Sequence, residues 1–250
     1  MHQTIRIATF NIHKGVSSFN ARLALHDQRD LIRQLHADIV FLQEVRDEHL
    51  KHRERFHAWP NEGQTEFLAD SVWSDYAYGR NSVYPAGHHG NALLSKFPII
   101  KAENEDISAH STEQRGMLHC EIEVPGWELP LHCLCVHLGL FAHWRRKQIA
   151  ALCDRISDEV PENAPLIIAG DFNDWSLSAG KLLTSKLHLR EVFEYHAGKS
   201  ARSFPSVMPL LRLDRIYVRG FHVQHVQVHA GPKVAKVSDH AALSATLQTR

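Results

Sequence analysis

The 250-residue sequence lacks the features that mark several large classes of protein. It has only four cysteines, with neither a Cys-x-x-Cys pair nor zinc-ribbon spacing. No apolar run approaches the roughly 20 residues that span a bilayer, and no basic-then-apolar leader precedes the first apolar segment. We therefore expect a cytoplasmic protein without a transmembrane segment, with peripheral attachment to a membrane as the alternative.

Net charge and linker-like composition are absent as well. Lys plus Arg (28) equals Asp plus Glu (28), so overall charge gives no reason to expect nucleic acid, although a local basic patch is compatible with it. No repeat and no Pro/Gly/Ser-rich tract interrupts the chain, which predicts one domain over residues 1–250. We expect Cys120, Cys133, Cys135 and Cys153 to be buried thiols in a reducing compartment.

Apolar periodicity predicts both consecutive strands and strands that alternate with helices. The predicted strands are 5–12, 38–42, 91–95, 99–107, 117–124, 129–138, 166–169, 213–218, 221–228 and 241–247, and the predicted helices are 26–36, 66–73, 143–160 and 178–187. In the helix over 143–160 an apolar stripe runs from Ile149 to Val160, with Arg145 largely off it. The mixture predicts an α/β chain whose mixed sheets carry helices on their outer faces.

Polar side chains recur where these predicted strands end. They are Asn11, Glu44, Asp171, Asn173 and Asp239. Taken singly, Glu44 is more often a salt-bridge partner than a metal ligand, and Asn11 is more often a strand-end cap. Taken together, they are the oxygen-bearing groups that Mg²⁺ takes as ligands or that position phosphate oxygens.

Two histidines lie close to these positions in the sequence. His137 ends a long predicted strand, where a histidine is commonly a satisfied core residue, whereas His240 follows Asp239 directly. A catalytic histidine needs a partner that fixes its tautomer and raises its basicity. Asp214 is the candidate partner, because an acid inside an apolar strand is costly unless it is paired.

Eight short motifs along the chain together resemble the endonuclease/exonuclease/phosphatase superfamily. They are Thr9-Phe10-Asn11, Leu42-Gln43-Glu44-Val45, Gly90 to Ser95, Arg115-Gly116, Val136-His137-Leu138, Gly170-Asp171-Phe172-Asn173, Leu213-Asp214-Arg215-Ile216 and Ser238-Asp239-His240. Each is weak alone, but they occur in the family's order over nearly the whole chain. The length and residues 86–91 are similar to those of short bacterial members.

The resemblance implies a DNase I-like fold, a four-layer α-β-β-α sandwich of two mixed sheets flanked by helices. It also implies a magnesium site at one edge of the sandwich, which Mn²⁺ can also fill. Glu44 would hold the metal, aided by Asn11 and Asp239.

The resemblance assigns the remaining polar residues to phosphoester hydrolysis. His240, held by Asp214, would be a general base or would orient the phosphate. Asp171 would orient or deprotonate the attacking water, and whether Asp171 or His240 takes the proton is open. Asn173 and His137 would donate hydrogen bonds to the phosphoryl oxygens.

The function expected from this resemblance is nuclease-like hydrolysis of a phosphodiester. Hydrolysis of a phospholipid, a sphingomyelin-type lipid or a small phosphoester at the same site is the alternative, and an inert binding module is a minor one. No obligate protein partner is expected. Arg115, His89 and Asn91 are candidate contacts to substrate phosphate, although Arg115 could instead pair with an acid.

Other segments offer weaker indications of the substrate. Residues 144–147 (Trp-Arg-Arg-Lys) form either a basic, aromatic lip for a polyanion or a solvated helix face. Trp175 and Phe204 are expected to stack on a base or sugar, or simply to pack.

Overall fold

Two six-stranded mixed sheets pack face to face in the computed structural model, which describes residues 4–17, 22–49, 56, 59–60, 62–85, 87–175 and 177–250. The strands are β1 (Thr4–Asn11), β2 (Ile39–His49), β3 (Asp75–Tyr84), β4 (Gly87–Ser95), β5 (Ile99–Asp106), β6 (Gly116–Ile122), β7 (Leu131–His137), β8 (Leu166–Asp171), β9 (Arg190–Glu191), β10 (Asp214–Arg219), β11 (Phe221–His229) and β12 (Ala242–Thr249). The helices are α1 (Leu25–Gln34), α2 (Gln64–Ala69), α3 (Ala142–Glu159), α4 (Ser178–Leu187), α5 (Val192–Ala197) and α6 (Pro232–Ala235).

The two sheets draw on different parts of the chain. The first has the strand order β11-β12-β1-β2-β4-β3, so it combines the two ends of the sequence. The second has the order β5-β6-β7-β8-β10-β9 and comes from the middle. Each sheet contains one parallel pair, β1 with β2 and β7 with β8, and is antiparallel elsewhere.

Alternation of side chains along the strands produces three apolar layers. The central layer, between the sheets, contains Ile7 and Phe41 from the first sheet and Cys133 and Ile167 from the second. An outer layer packs α1 and α2 on the first sheet, and another packs α3 and α4 on the second. The predicted four-layer α-β-β-α sandwich is therefore confirmed.

The strand register lines up three polar residues at one edge of the second sheet. Parallel pairing of β7 with β8 places His137 beside Asp171. Antiparallel pairing of β8 with β10 places Asp171 beside Asp214. In the first sheet Asn11, the last residue of β1, pairs with Gln43 of β2. The polar strand ends noted in the sequence thus stand at adjacent positions.

Several sequence predictions differ from the structure. The second strand was expected over 38–42, but β2 runs to His49 because it continues past an irregularity at Glu44. The sequence pattern missed β3, whose ten residues include Asp75, Arg80, Asn81, Ser82 and one glycine. The helix expected at 66–73 lies at Gln64–Ala69. Residue 86 of the motif at 86–91 lies outside the described residues.

The four cysteines are buried and free, as expected. Cys133 and Cys135 share the face of β7 that meets the first sheet, where burial raises the thiol pKa of both. Over the described ranges, we find no helix with the length and apolar character needed to cross a membrane.

A buried histidine pair lies on the outer face of the second sheet. His119 Nε2 is 3.0 Å from His132 Nδ1, and both side chains are buried. Burial, with His132 adding to it, lowers the pKa of His119 from its ordinary 6.5 to about 4. Between pH 6.5 and about pH 4, His119 binds a proton in the unfolded chain but not in the folded chain. The free energy of unfolding therefore falls as the pH falls through that window.

We expect His119→Gln, which keeps a polar group but cannot titrate, to reduce the loss of stability between pH 7 and pH 4.5 by on the order of 2 kcal/mol. The measurement is the free energy of unfolding in urea at a series of pH values. His222→Gln, at an exposed position of β11, is the matched control for the same substitution away from the buried pair. Parallel curves for His119→Gln and the unmodified chain would contradict this account.

Candidate active site

A bulge in β2 turns the Glu44 side chain toward the polar strand ends at the edge of the two sheets. Its φ of 57° lies in the left-handed region, and pairing with β4 skips from Leu42 to Val45. Leu42 and Val45 both pack in the outer apolar layer of the first sheet. Regular alternation would place residues 42 and 44 on the same face, so the bulge frees Glu44 from that layer.

Asn11 joins two carboxylates. Its Nδ2 donates to Asp171 Oδ2 at 3.1 Å and to Glu44 Oε1 at 3.4 Å, and its Oδ1 accepts from the backbone N–H of His13 at 3.0 Å. Since Asp171 belongs to the second sheet and Glu44 to the first, this single amide spans the edge between the sheets. It was predicted as an aid to the metal ligand, and here its amide nitrogen faces both acids.

Glu44 is anionic in spite of its position. Burial opposes its ionisation, but His137 and the Lys14 ammonium, 3.6 Å from Oε2, outweigh burial and lower the pKa of Glu44 to about 2. Oε2 has no hydrogen-bond donor among the described residues. A buried anionic oxygen of this kind suits a hard cation.

His240 lies between two acids. Its Nδ1 is 2.9 Å from Asp214 Oδ2, and its Nε2 is 3.8 Å from Asp171 Oδ2. Burial alone would lower the pKa of His240, but Asp214 and Asp171 raise it to about 10. Burial, together with Asp214, raises the pKa of Asp171 to about 6 against the opposing charge of His240. At neutral pH the ring is therefore a cation and Asp171 an anion.

His137 and Asn173 complete the buried group around Asp171. His137 Nε2 is 3.5 Å from Asp171 Oδ2, and the backbone N–H of Asn173 donates to Asp171 Oδ1 at 2.9 Å. Asn173 has a φ of 49°, which turns the chain directly after the strand. Its Nδ2 donates one hydrogen to Leu138 O at 3.0 Å. We find no acceptor for the second hydrogen of that amide among the described residues, so it can bond a ligand.

Sequence reasoning missed three residues that border this group. His13 Nδ1 lies 3.2 Å from Asp239 Oδ1, and Lys14 contacts Glu44 as described. Ser238 Oγ donates to Asn11 O at 2.7 Å and accepts from the backbone N–H of His240 at 3.1 Å. The signal was available, because His13 and Lys14 follow the first polar strand end and Ser238 precedes Asp239.

The three candidate phosphate contacts line one small cleft together with His137. Asn91 is fully buried, and its Nδ2 donates to Gly116 O and Cys135 O, which joins the first sheet to the second. Arg115 pairs with Glu113 at 3.1 Å and donates to Leu138 O. Burial lowers the pKa of His89 to about 4. The structure thus brings these three side chains together and gives Asn91 and Arg115 structural partners.

The basic lip suggested for residues 144–147 requires a correction, because Arg145 is buried. Its guanidinium donates to Gly139 O and Leu140 O, lies 3.6 Å from Asp174 Oδ1 and stacks over the Trp175 ring at 5.2 Å. These partners offset the cost of burying the charge. Arg145 therefore joins two loops beside the site, and Trp175 is packed on one face and exposed on the other.

Among the residues that the structure describes, two sets of side chains at this edge could hold a metal. Asp171, Asp214 and His240 have ligand atoms within 4.8 Å of one another, but the histidine is a cation bonded to Asp214, which disfavours coordination there. Glu44 has an oxygen without a donor, and Asp239 is partly exposed. The oxygen-only character of this second group fits Mg²⁺ better.

Comparison with known proteins gives results consistent with this geometry. The model of the "Endonuclease/Exonuclease/phosphatase family" matches residues 8–240. The chain is 45% identical over 244 residues, 98% of its length and 96% of the relative's, to "Uncharacterized protein YbhP" of Escherichia coli K12.

Two solved structures are similar in fold at low identity. D. rerio TDP2 complexed with single strand DNA product aligns with a TM-score of 0.73 at 18% identity, covering 98% of this chain and 99% of that one. The mannosyl-6-phosphatase Bt3783 of Bacteroides thetaiotaomicron aligns with a TM-score of 0.72 at 18% identity, covering 97% and 99%.

Proposed function

The chain belongs to the endonuclease/exonuclease/phosphatase family, whose members hydrolyse phosphoester bonds, and on that premise we propose that it is a metal-dependent phosphodiesterase. The observation that carries the proposal is the arrangement of His240, which is bonded to Asp214 and faces Asp171 beside His137. Such a group can orient a water, hold a proton and neutralise phosphoryl oxygens within one buried pocket.

Glu44 and Asp239 are the residues that would hold the metal, with Asn11 fixing the Glu44 carboxylate from the side. The donor-free Oε2 of Glu44 and its low pKa support this assignment. When bound, Mg²⁺, or Mn²⁺ in its place, supplies Lewis acidity to the phosphoryl group.

Asp171 is proposed to take the proton of the attacking water. Its carboxylate is anionic at neutral pH and is held by Asn11 and by the backbone of Asn173. His240 is proposed to act as a cationic hydrogen-bond donor to the phosphate, because its other nitrogen is bonded to Asp214. This division leaves one base and one acid in contact, a pairing suited to in-line displacement by water.

His137 and the free hydrogen of the Asn173 amide are proposed to stabilise charge that develops on the non-bridging oxygens. Both are fixed before substrate arrives, since Asn173 is bonded to Leu138 O and His137 lies in a strand. Donors placed in advance cost no reorganisation during reaction.

Two substrate classes fit the proposed chemistry. A nucleic acid is the first, and the similar TDP2 was solved with single strand DNA product. A lipid phosphodiester is the second, and a specific feature of the loops around the site, described below, favours it.

Hydrolysis of bis-p-nitrophenyl phosphate tests the proposal without assuming the natural substrate. We expect turnover with Mg²⁺ or Mn²⁺ and its loss in EDTA, restored when excess metal is added back. Release of p-nitrophenolate is the measurement. Activity that persists unchanged in EDTA would exclude the metal assignment, and a complete lack of turnover with either metal would count against the phosphodiesterase.

A further inference from the structure

Large apolar side chains that face solvent are concentrated on three loops. Among the described residues, six of the nine that are more than half exposed lie there, from 51% at Leu140 to 65% at Met208. They are Leu140, Phe141, Trp175, Val207, Met208 and Leu210, and the other three are Val83, Ile100 and Tyr195. Single exposed apolar residues are ordinary, whereas such a concentration marks a binding surface.

All three loops adjoin the strand ends that build the active site. Leu140 and Phe141 follow His137, and Trp175 follows Asn173. The third loop, residues 204–211 with Val207, Met208 and Leu210, precedes Asp214. Because His137, Asp171 and Asp214 are neighbours across three paired strands, the loops attached to them lie at the same edge of the second sheet.

The third loop also contacts the site directly. The Phe204 ring lies 5.2 Å from the ring of His240. The backbone N–H of Ser206 donates to Asp239 O at 2.7 Å. The apolar residues 207–210 that follow are therefore held close to the proposed catalytic group. We refer to the six exposed residues on the three loops as the apolar rim.

Local bonding fixes the apolar rim in its exposed position. Arg145 donates to Leu140 O and stacks on Trp175, so it ties the first loop to the second. Phe141 packs edge-on against Trp144 at 4.7 Å. In the third loop the backbone N–H groups of Leu210 and Leu211 both donate to Phe204 O. The exposure is thus a property of ordered loops.

The chemistry of the apolar rim favours lipid over nucleic acid. Leu140, Val207, Met208 and Leu210 have no π-face on which a base could stack. A nucleic-acid surface would need a stripe of cations, whereas the rim segments 140–141, 174–175 and 207–211 contain no Lys or Arg. Arg146 and Lys147 follow Phe141 on α3, and Arg202 precedes the third loop. Apolar tips flanked by cations match the boundary of an anionic lipid layer.

We propose that the apolar rim docks the chain onto an anionic lipid surface. Insertion of the six side chains would bring this edge of the second sheet against lipid headgroups. In that position, and resting on the phosphodiesterase function proposed above, the site would act on a phosphodiester held at the lipid–water interface.

Co-sedimentation with vesicles tests the docking. The full chain is mixed with vesicles of phosphatidylcholine alone, or with roughly 30 mol% phosphatidylglycerol added, where cations near the surface contribute attraction. We expect binding to the anionic vesicles that weakens with salt. The rim variant Phe141→Ser/Val207→Ser/Met208→Ser should bind at least roughly 10-fold more weakly, since it removes inserted apolar area.

The matched control is Ile100→Ser/Tyr195→Ser, which removes apolar side chains of similar exposure. Ile100 lies near the end of β5 that pairs with Ile122, away from Gly116 and the site. This control should bind vesicles like the unmodified chain. Both variants should retain hydrolysis of soluble bis-p-nitrophenyl phosphate, because none of the altered residues belongs to the catalytic group.

The outcomes distinguish a failure of the docking surface from a failure of the proposed phosphodiesterase function. No vesicle binding by the unmodified chain, or equal binding by the rim variant, overturns the docking surface. Self-association in light scattering that the rim variant abolishes, without vesicle binding, would identify the rim as an interface between copies. Rim-dependent vesicle binding with no hydrolysis of the soluble substrate would leave the docking surface in place and remove the phosphodiesterase.

Discussion

Replacing His240 with Ala is expected to lower kcat for bis-p-nitrophenyl phosphate by roughly 10²–10⁴-fold. The ring is the point at which Asp214 and Asp171 meet, at 2.9 Å from one and 3.8 Å from the other. Its loss removes the cation proposed to contact phosphate and leaves two buried carboxylates without the charge between them. Steady-state kinetics at saturating metal give kcat and KM separately.

Asp214, the hydrogen-bond partner of His240, allows a more specific prediction. Asp214 is proposed to act through His240, so adding Asp214→Asn to His240→Ala should cause little further loss in kcat, whereas Asp214→Asn alone should be clearly slower than the unmodified chain. Urea unfolding of each variant separates a loss of chemistry from a loss of fold. A near-normal kcat for a folded His240→Ala would remove the ring from the reaction, and additive losses would remove the coupling.

Replacing Glu44 with Gln is expected to raise the metal concentration needed for half-maximal activity by roughly 10²-fold or more, since a direct ligand should matter at least as much as the groups that support one. The isosteric amide can still contact Asn11 but lacks the charge at Oε2. Isothermal titration with Mg²⁺ and Mn²⁺ follows binding directly, and activity against metal concentration follows its effect.

The control for Glu44 is a second buried carboxylate, Glu191, which caps the start of α5 through the N–H of Glu194. Glu191→Gln changes the same functional group on the edge strand β9 of the second sheet. It should leave the metal titration unaltered. If Glu44→Gln also leaves it unaltered, Glu44 is not a metal ligand and the metal assignment at the first sheet fails.

The sequence supported the overall fold and most of the strand ends, because apolar periodicity and strand termini are local properties. The stripe from Ile149 to Val160 predicted the buried face of α3, and its members lie in the outer core as expected. The motif order identified the family, which the comparison confirmed. The edge strand β3, with its many polar residues, carried no such pattern and was missed.

The features that the sequence could not predict depend on contacts between residues that are far apart in the chain. The bulge that turns Glu44 out of its layer follows from pairing with β4. Arg145 is buried because carbonyl groups and an acid from two loops pair with its guanidinium. Its charge alone predicted a solvent-exposed position. The sequence leaves the choice of proton acceptor open between Asp171 and His240, and our proposal of Asp171 rests on the distances that place His240 between two carboxylates.

The two-sheet arrangement has a consequence for how the protein matures during synthesis. Residues from β5 to β10 can assemble one sheet while the ribosome is still translating, but the other sheet needs β12, which pairs with β1 over Thr4 to Thr9. His240 and Asp239 immediately precede that final strand. The candidate site therefore stays incomplete in the nascent chain until β12 has been synthesised and has paired with β1.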